Sequence, residues 1–248
     1  MTTILVTGGT GTLGSLVSER LRARGHEVRV LSRHAERYAV DLRTGAGLDA
    51  AVEGVDTVVH CASAQRGDVG AARNLVAALT KAGTGHLVYI SIVGVDEVPL
   101  GYYRQKREVE RIVEESGLGW TVLRTTQFHD LVVSLLQGLA RTPLLLPVPA
   151  GVADQPIEVA EVADRLAALA EGAPAGRVPD MGGPEVLGFP GLAGAYLGAT
   201  GRRRRIVPVR LAGGVYRALR EGRHLTPERA VGRGTFAAYL ARRFGPAR

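Results

Sequence analysis

The stretch that most limits what this chain can become is TGGTGTLG, Thr7 to Gly14. Gly8, Gly11 and Gly14 are spaced Gly-x-x-Gly-x-x-Gly, and the same residues contain Gly9-x-Gly11-x-x-Gly14. The run before it, TILVTG, is short, apolar and β-branched, so it reads as a buried strand. After it, Leu13, Leu16, Val17 and Leu21 recur at helical spacing and Gly25 stops the pattern. A strand that passes through glycines straight into a helix is the context in which such spacing reports a dinucleotide site. Each glycine has a task there. Gly8 and Gly9 permit the tight turn, Gly11 lets backbone approach a pyrophosphate, and Gly14 lets the helix lie close to the strand. Thr10, Thr12 and Leu13 offer amides or hydroxyls to phosphate at the positive end of the helix. The competing reading, a glycine-rich turn with no ligand, is disfavoured by that context.

Strand and helix then alternate. HEVRVLSR, RYAVDL, DTVVHCAS, HLVYISIVG and GWTVLRT read as further strands. Between them GLDAAVEGV, VGAARNLVAALTKAG and YYRQKREVERIVEESG read as helices, the last with Val109, Ile112 and Val113 on one face. Six strands joined by helices predict an α/β fold of Rossmann type, a doubly wound parallel sheet. After Thr126 the rhythm loosens. DLVVSLLQGLAR and EVAEVADRLAALAEG predict helices, and TPLLLPVPAG is too rich in proline for a central strand, so it predicts an edge strand. A helix around Leu192–Leu197, a strand in RRRIVPVR and two more helices follow. The expected organisation is a nucleotide-binding domain over residues 1–130 and a smaller substrate lobe over 131–248, packed as one unit.

Bulk properties narrow the class. The 248 residues suffice for a buried core, and no run of eighteen apolar residues predicts a membrane span. The first residues lack the pattern of a signal peptide and Cys61 is the only cysteine, so a cytoplasmic protein without internal disulfides is expected. From Gly201 to Arg248 there are 13 arginines against two acids, a net +11, while the remainder carries −4. No recognition helix or aromatic stacking pattern accompanies this charge, so a solvated surface is preferred to nucleic acid as its explanation. A small-molecule substrate is the expected partner, a homo-oligomer is compatible with the sequence, and no metal is assigned.

The strand ends nominate the cofactor contacts. A second strand that prefers NAD ends in an acid for the ribose hydroxyls. Here it ends Leu31-Ser32-Arg33, and Arg33 suits a 2′-phosphate, which points to NADPH over NADH. The alternative for Arg33 is a solvated loop residue. Asp41 and Leu42 are candidates to flank the adenine, and Cys61, Ala62 and Ser63 carry the loop past the ribose. His60 reads as satisfied within the sheet and Cys61 as a small buried hydrophobe.

TGGTGTLG, VLSR, VVHCAS, YISIVGVD, YYRQK and LRTTQFHD together resemble the atypical short-chain dehydrogenase/reductases, in their NmrA-like, NAD(P)-binding branch. The resemblance covers Thr3 to about Asp130 and continues more loosely beyond. It implies pyrophosphate at Gly8, Gly11 and Gly14, the 2′-phosphate at Arg33, nicotinamide beside Thr125, Thr126, Gln127 and Phe128, and a substrate pocket shaped by the C-terminal lobe. Activities in such families include reduction of quinones, ketones, enones and imines, and some members are redox sensors that bind the dinucleotide and catalyse nothing.

In that light Tyr102 and Lys106 stand at the Tyr-x-x-x-Lys spacing of a reductase acid and its supporting cation. Residues i and i+4 share a helix face, and a cation beside a phenol favours its ionised form. Tyr103 pairs with Arg107 at the same spacing, so Tyr102 is preferred only because its partner is the lysine. The related enzymes complete the constellation with a hydroxyl after the fifth strand, and Ser91 is the candidate, eleven residues before Tyr102. The competing reading packs Tyr102 at the helix start and leaves Lys106 to hold ribose alone. A quinone acceptor relaxes the need for a complete triad, with Gln127 and His129 as alternative polar contacts. The expected function is an NADPH-dependent reductase of a small apolar quinone, ketone or related compound. An NADP-binding sensor without catalysis is the alternative.

Overall fold

A computed structural model describes residues 2–64, 66–142 and 144–245. In chain order the elements are β1 (Thr3–Thr7), α1 (Thr12–Ala23), β2 (Glu27–Ser32), β3 (Tyr38–Ala39), α2 (Leu48–Val52), β4 (Thr57–His60), α3 (Asp68–Ala82), β5 (His86–Ile92), α4 (Gly101–Glu114) and β6 (Gly119–Thr125). There follow α5 (His129–Leu139), β7 (Leu145–Pro149), β8 (Ala153–Asp154), α6 (Val159–Glu171), β9 (Gly176–Arg177), β10 (Leu187–Gly188), α7 (Phe189–Thr200), β11 (Arg205–Val209), α8 (Gly214–Arg220) and α9 (Phe236–Phe244).

The main sheet has seven strands in the order β3-β2-β1-β4-β5-β6-β9. It is a parallel, Rossmann-like sheet: β1 pairs with both β2 and β4, Ile4 facing Val28 and Thr57. The chain leaves β1 one way to build β2 and β3 and returns to its other side for β4, and a strand order that reverses at β1 opens a crevice at the strand ends. The central strands are apolar on both faces, as a sheet covered by helices requires: Ile4, Leu5, Val58, Val59, Leu87 and Val88 are all fully buried. The third strand shrinks from the six residues expected to two, because it lies at the sheet edge and pairs only through Tyr38 and Ala39 with β2. A strand without sequence signal, Gly176–Arg177, closes the opposite edge beside β6.

By internal contact the chain divides into two units. The first comprises residues 1–91, 101–124 and 159–179, so α6 and β9 are grouped with the strands β1 to β5 and the division does not fall at a single point near 130. The reason is on α6 itself. Its buried face, Val159, Val162, Ala163 and Leu166, packs on α1, and Asp164 accepts from Arg20 Nε at 3.0 Å. Glu171 accepts from Arg24 at 2.6 Å and meets His26 Nε2 at 2.9 Å.

The second unit, residues 92–100, 125–158 and 180–248, has its own core of Val132, Val133, Leu136, Tyr196, Phe236 and Leu240. Buried Gln155 ties its loops together: its amide donates to the Gly183 and Thr226 carbonyls at 2.8 and 3.2 Å and accepts from Thr226 N at 2.8 Å. The proline-rich run forms β7 and pairs in parallel with β11 in a sheet of only two strands, where each strand keeps a free side. Several C-terminal arginines are engaged locally. Arg243 donates to Asp130 at 2.8 Å, Arg223 to Glu221 at 2.7 Å and Arg204 to the Thr142 carbonyl at 3.1 Å. Among the described residues no helix is long and apolar enough to cross a membrane.

Candidate cofactor and active site

In the first unit a cavity of about 330 Å³ opens at the ends of β1, β2 and β4. It is of ligand-pocket size. Gly8, Thr10 and Gly11 line it from the glycine loop and Arg33 from the end of β2. Asp41 and Leu42 line it after β3, and Cys61, Ala62 and Ser63 after β4. Thr12, Leu13 and Gly14 form the first turn of α1 instead, Leu13 and Gly14 buried and Thr12 exposed.

Two glycines are obligatory by geometry. Gly8 has φ +65°, and a Cβ on it would lie 2.7 Å from the Ala62 Cα. A Cβ on Gly14 would lie 2.3 Å from the Gly8 carbonyl oxygen, so helix and loop touch backbone to backbone. The N-cap of α1 is Gly11, which makes no side-chain cap, so the amides of the first turn are left for water or an anion. A phosphate chain fits a cradle shaped this way.

Around the cradle the polar contacts are specific. Ser32 Oγ accepts from Thr10 Oγ1 at 2.9 Å and from His34 N at 3.1 Å, tying the glycine loop to the end of β2. Arg33 stands exposed beside it. Arg43, which the sequence did not single out, grips Asp41 through Nε at 3.1 Å and Nη2 at 2.7 Å. Those hydrogen bonds hold the Asp41 carboxyl down at about 2. Asp41 therefore faces the cavity as half of an ion pair rather than as a free carboxylate.

Tyr102 lies in the first turn of α4, half-buried, and its hydroxyl is 2.8 Å from Ser63 Oγ. Ser63 donates to Asp68 Oδ2 at 2.9 Å, and Asp68 Oδ1 accepts from Ala64 N at 2.6 Å. Burial raises the Tyr102 phenol above its ordinary value, the Ser63 hydrogen bond opposes that rise and the Asp68 charge adds to it. Lys106 is 3% exposed, and its Nζ lies 5.1 Å from the Tyr89 ring centroid and 5.8 Å from that of Tyr102. Burial pushes the Lys106 ammonium down, with Asp68, Cys61 and Glu110 pulling back. A cation held over two aromatic faces is attracted by their quadrupoles, yet its donors still call for oxygen partners. Ribose hydroxyls fit that requirement.

Three further residues are placed by their neighbours. His60 Nδ1 lies 2.7 Å from Thr7 Oγ1 and its ring stacks on Tyr89 at 5.4 Å; burial, helped by Lys106, pushes it down to about 3. Burial pushes the Cys61 thiol up to about 12, against the pull of Lys106, so it is no thiolate. Tyr103 is 5% exposed and turned into the core.

Ser91 is not brought to Tyr102 by any hydrogen bond. It is 1% exposed, and its hydroxyl has no hydrogen-bond partner among the described residues. The hydroxyl that meets Tyr102 is Ser63, 39 residues earlier. Sequence reasoning placed Ser63 at the cofactor but missed its bond to Tyr102, and missed Asp68 altogether; the only local signal was an acid in the first turn of α3.

Thr125, Thr126, Gln127 and Phe128 belong to the second unit. Thr126 N donates to the Met181 carbonyl at 3.1 Å and its Oγ1 accepts from Gly183 N at 3.2 Å. The Gln127 carbonyl accepts from Ile157 N at 2.9 Å, and Phe128 bridges to Ile157. His129 Nε2 meets the Gly234 carbonyl at 3.0 Å between Phe236 and Tyr239, the position of a packed helix-start residue.

Comparison with known proteins agrees with this architecture. A family model described as NAD(P)H-binding matches residues 8–171. A (4-alkanoyl-5-oxo-2,5-dihydrofuran-3-yl)methyl phosphate reductase of Streptomyces griseus is 33% identical over 202 residues, 74% of this chain and 69% of that protein. An NAD(P)H azoreductase of Xenophilus azovorans is 28% identical over 223 residues, 84% of this chain and 77% of that protein. The chain spans only 18% of the length of an uncharacterised Mycobacterium tuberculosis relative, with 31% identity over 169 residues. Among solved structures, the NADPH-dependent quinone oxidoreductase of Escherichia coli in complex with NADPH superposes with a TM-score of 0.79 at 19% identity, over 97% of this chain and 99% of that one. With the glycine cradle, the seven-stranded parallel sheet and a family match over residues 8–171, the chain belongs to the NAD(P)H-binding family.

Proposed function

We propose that the protein is an NADPH-dependent reductase of a small quinone, ketone or related conjugated acceptor. The observation that carries this reading is the placement of Tyr102 and Lys106 in the same unit as the glycine cradle, with a buried lysine cation over the tyrosine ring. A protein that only sensed the dinucleotide would use Lys106 for ribose but would have no use for a phenol beside it. The relatives supply the acceptor class, since their names include an azoreductase, a quinone oxidoreductase and a phosphate-bearing dihydrofuran reductase.

Bound in the cradle, NADPH supplies a hydride. The chain's own residues do the rest. Gly8 and Gly11 leave room for the pyrophosphate, and the first turn of α1 offers amides to it. Arg33 receives the 2′-phosphate, and Lys106 holds the ribose next to the nicotinamide. Tyr102, kept as a phenol by burial, donates its proton to the atom on which negative charge develops.

The test is NADPH oxidation against a panel of quinones, azo compounds and aromatic ketones, with Tyr102→Phe alongside. Turnover by the native chain and a loss of about a hundredfold or more in kcat for the variant are expected, the usual scale for a positioned acid. Tight NADPH binding with no turnover on any acceptor would replace this reading with the sensor.

A further inference from the structure

We propose that Asp68 is a positioning residue for the tyrosine acid: through the Ser63 hydroxyl it fixes the place and the proton of the Tyr102 oxygen. The proposal rests on Tyr102 being the proton donor of the reading above, and it supplies the third member of the constellation from the loop after β4 rather than from Ser91 in β5.

The argument is one of proton inventory. An ionised carboxylate only accepts, and a serine hydroxyl has one proton to give. Ser63 Oγ is 2.9 Å from Asp68 Oδ2, so its proton is committed there. With no acceptor bound, the 2.8 Å contact to Tyr102 is then made with the tyrosine donating and Ser63 accepting, and an acceptor atom takes over that proton when it binds. The direction of the whole chain follows from its charged end. Asp68 is itself held, 7% exposed and bonded through its other oxygen to Ala64 N at 2.6 Å, so the loop carrying Ser63 is closed onto the start of α3. Hydrogen bonds to a charged acceptor are stronger than neutral ones, which makes this end the anchor.

The groups facing Tyr102 are few. From α4 they are Lys106 and the edge-on ring of Tyr103, from β5 the Tyr89 phenol, and from α3 Asp68. Cys61 and His60, at the end of β4, lie near Lys106 and remain uncharged, the thiol raised and the imidazole lowered by burial. Lys106 favours the phenolate and Asp68 opposes it. Among the described residues the carboxylate is thus the one neighbour whose charge keeps the proton on Tyr102 while a cation stands nearby.

The test does not need turnover. The phenolate absorbance of Tyr102, read as the difference between the native chain and Tyr102→Phe, is titrated in Asp68→Asn, in Ser63→Ala and in the double variant. With Asp68→Asn the Tyr102 transition moves to lower pH, and in the Ser63→Ala background the same substitution moves it less, because the link has been cut. An unmoved transition in folded Asp68→Asn overturns the proposal. An equal shift with and without Ser63 also overturns it, reducing Asp68 to a distant charge. Should Asp68→Asn not fold, Ser63→Ala decides: kcat falls about tenfold more than NADPH affinity does if the hydroxyl positions the acid, and equal losses reject the idea. An enzyme inert to every acceptor in the panel fails the functional reading, while the titration still reports on the chain.

Discussion

The glycine cradle and the Tyr102 group belong to the same unit and are held by opposite means. The cradle is shaped by missing side chains: Gly14 lies against the Gly8 carbonyl where a Cβ would sit 2.3 Å from it. The Tyr102 group is shaped by side chains that accept a cost, a lysine 3% exposed and a carboxylate 7% exposed. Close backbone packing stabilises the fold and prepares a site at once. Buried charge does not, since desolvation opposes it. Damage to the cradle should therefore lower stability and binding together, whereas damage to the polar group should separate them.

The sharpest way to break this contrast is Gly14→Ala. The added methyl meets main chain and not a flexible side chain, so α1 must move away from the loop. Overpacking of this kind costs about 1–3 kcal/mol. The same movement withdraws the first-turn amides, and NADPH affinity should fall by more than a hundredfold. Thermal unfolding with and without NADPH checks both. If the variant melts like the native chain and still gains stability from NADPH, the cradle is not built as described.

Lys106→Met tests the other side. The methionine keeps the stem and removes the charge. NADPH affinity should drop about tenfold, the loss of one or two charge-assisted hydrogen bonds. Stability at neutral pH should hold or rise, because the folded state keeps the lysine below its free value of 10.5. The sign follows from linkage. A lysine lowered on folding loses a proton more readily in the native state, so its destabilising effect is complete below the folded value. It fades as pH rises toward 10.5. The gain in stability of the variant over the native chain should thus shrink between neutral pH and about pH 10. A variant that is less stable at pH 7 and equally deprived of NADPH would make Lys106 a structural cation and erase the contrast.

The same difference explains what the sequence disclosed. The cradle is local, so strand, glycines and helix could be read within about twenty residues, and β6 (Gly119–Thr125) coincides with its apolar run. β3 was over-read because an edge strand ends where its single neighbour does, at Ala39. β9 opens the run GRVPDMGG, to which the sequence alone assigns neither strand nor helix: a two-residue strand containing glycine has no periodicity, and it exists only because β6 offers an open edge. Ser91 was chosen for its distance from Tyr102 along the chain, but the pleat of β5 encloses it, 1% exposed. Ser63 and Asp68 meet Tyr102 only through the crossover from β4 to α4, a separation for which no spacing rule exists.

The smallest effect concerns cofactor choice. Arg33 is exposed at the cavity rim, and charge pairs of exposed groups are weak, about 1 kcal/mol or less unless the geometry is bidentate. A planar guanidinium facing a phosphate can meet that condition. Arg43 is less available, because it already holds Asp41 through two nitrogens. Arg33→Ala should therefore weaken NADPH by about fivefold to tenfold, roughly 1–1.4 kcal/mol, and leave NADH nearly unchanged. The difference should shrink as salt rises, since screening acts on the exposed pair and not on the cradle amides beneath it. Fluorescence titration with both cofactors at low and high salt reads this directly. Equal losses for NADH and NADPH would return Arg33 to a solvated loop and shift the 2′-phosphate to Arg43, at the expense of its bond to Asp41.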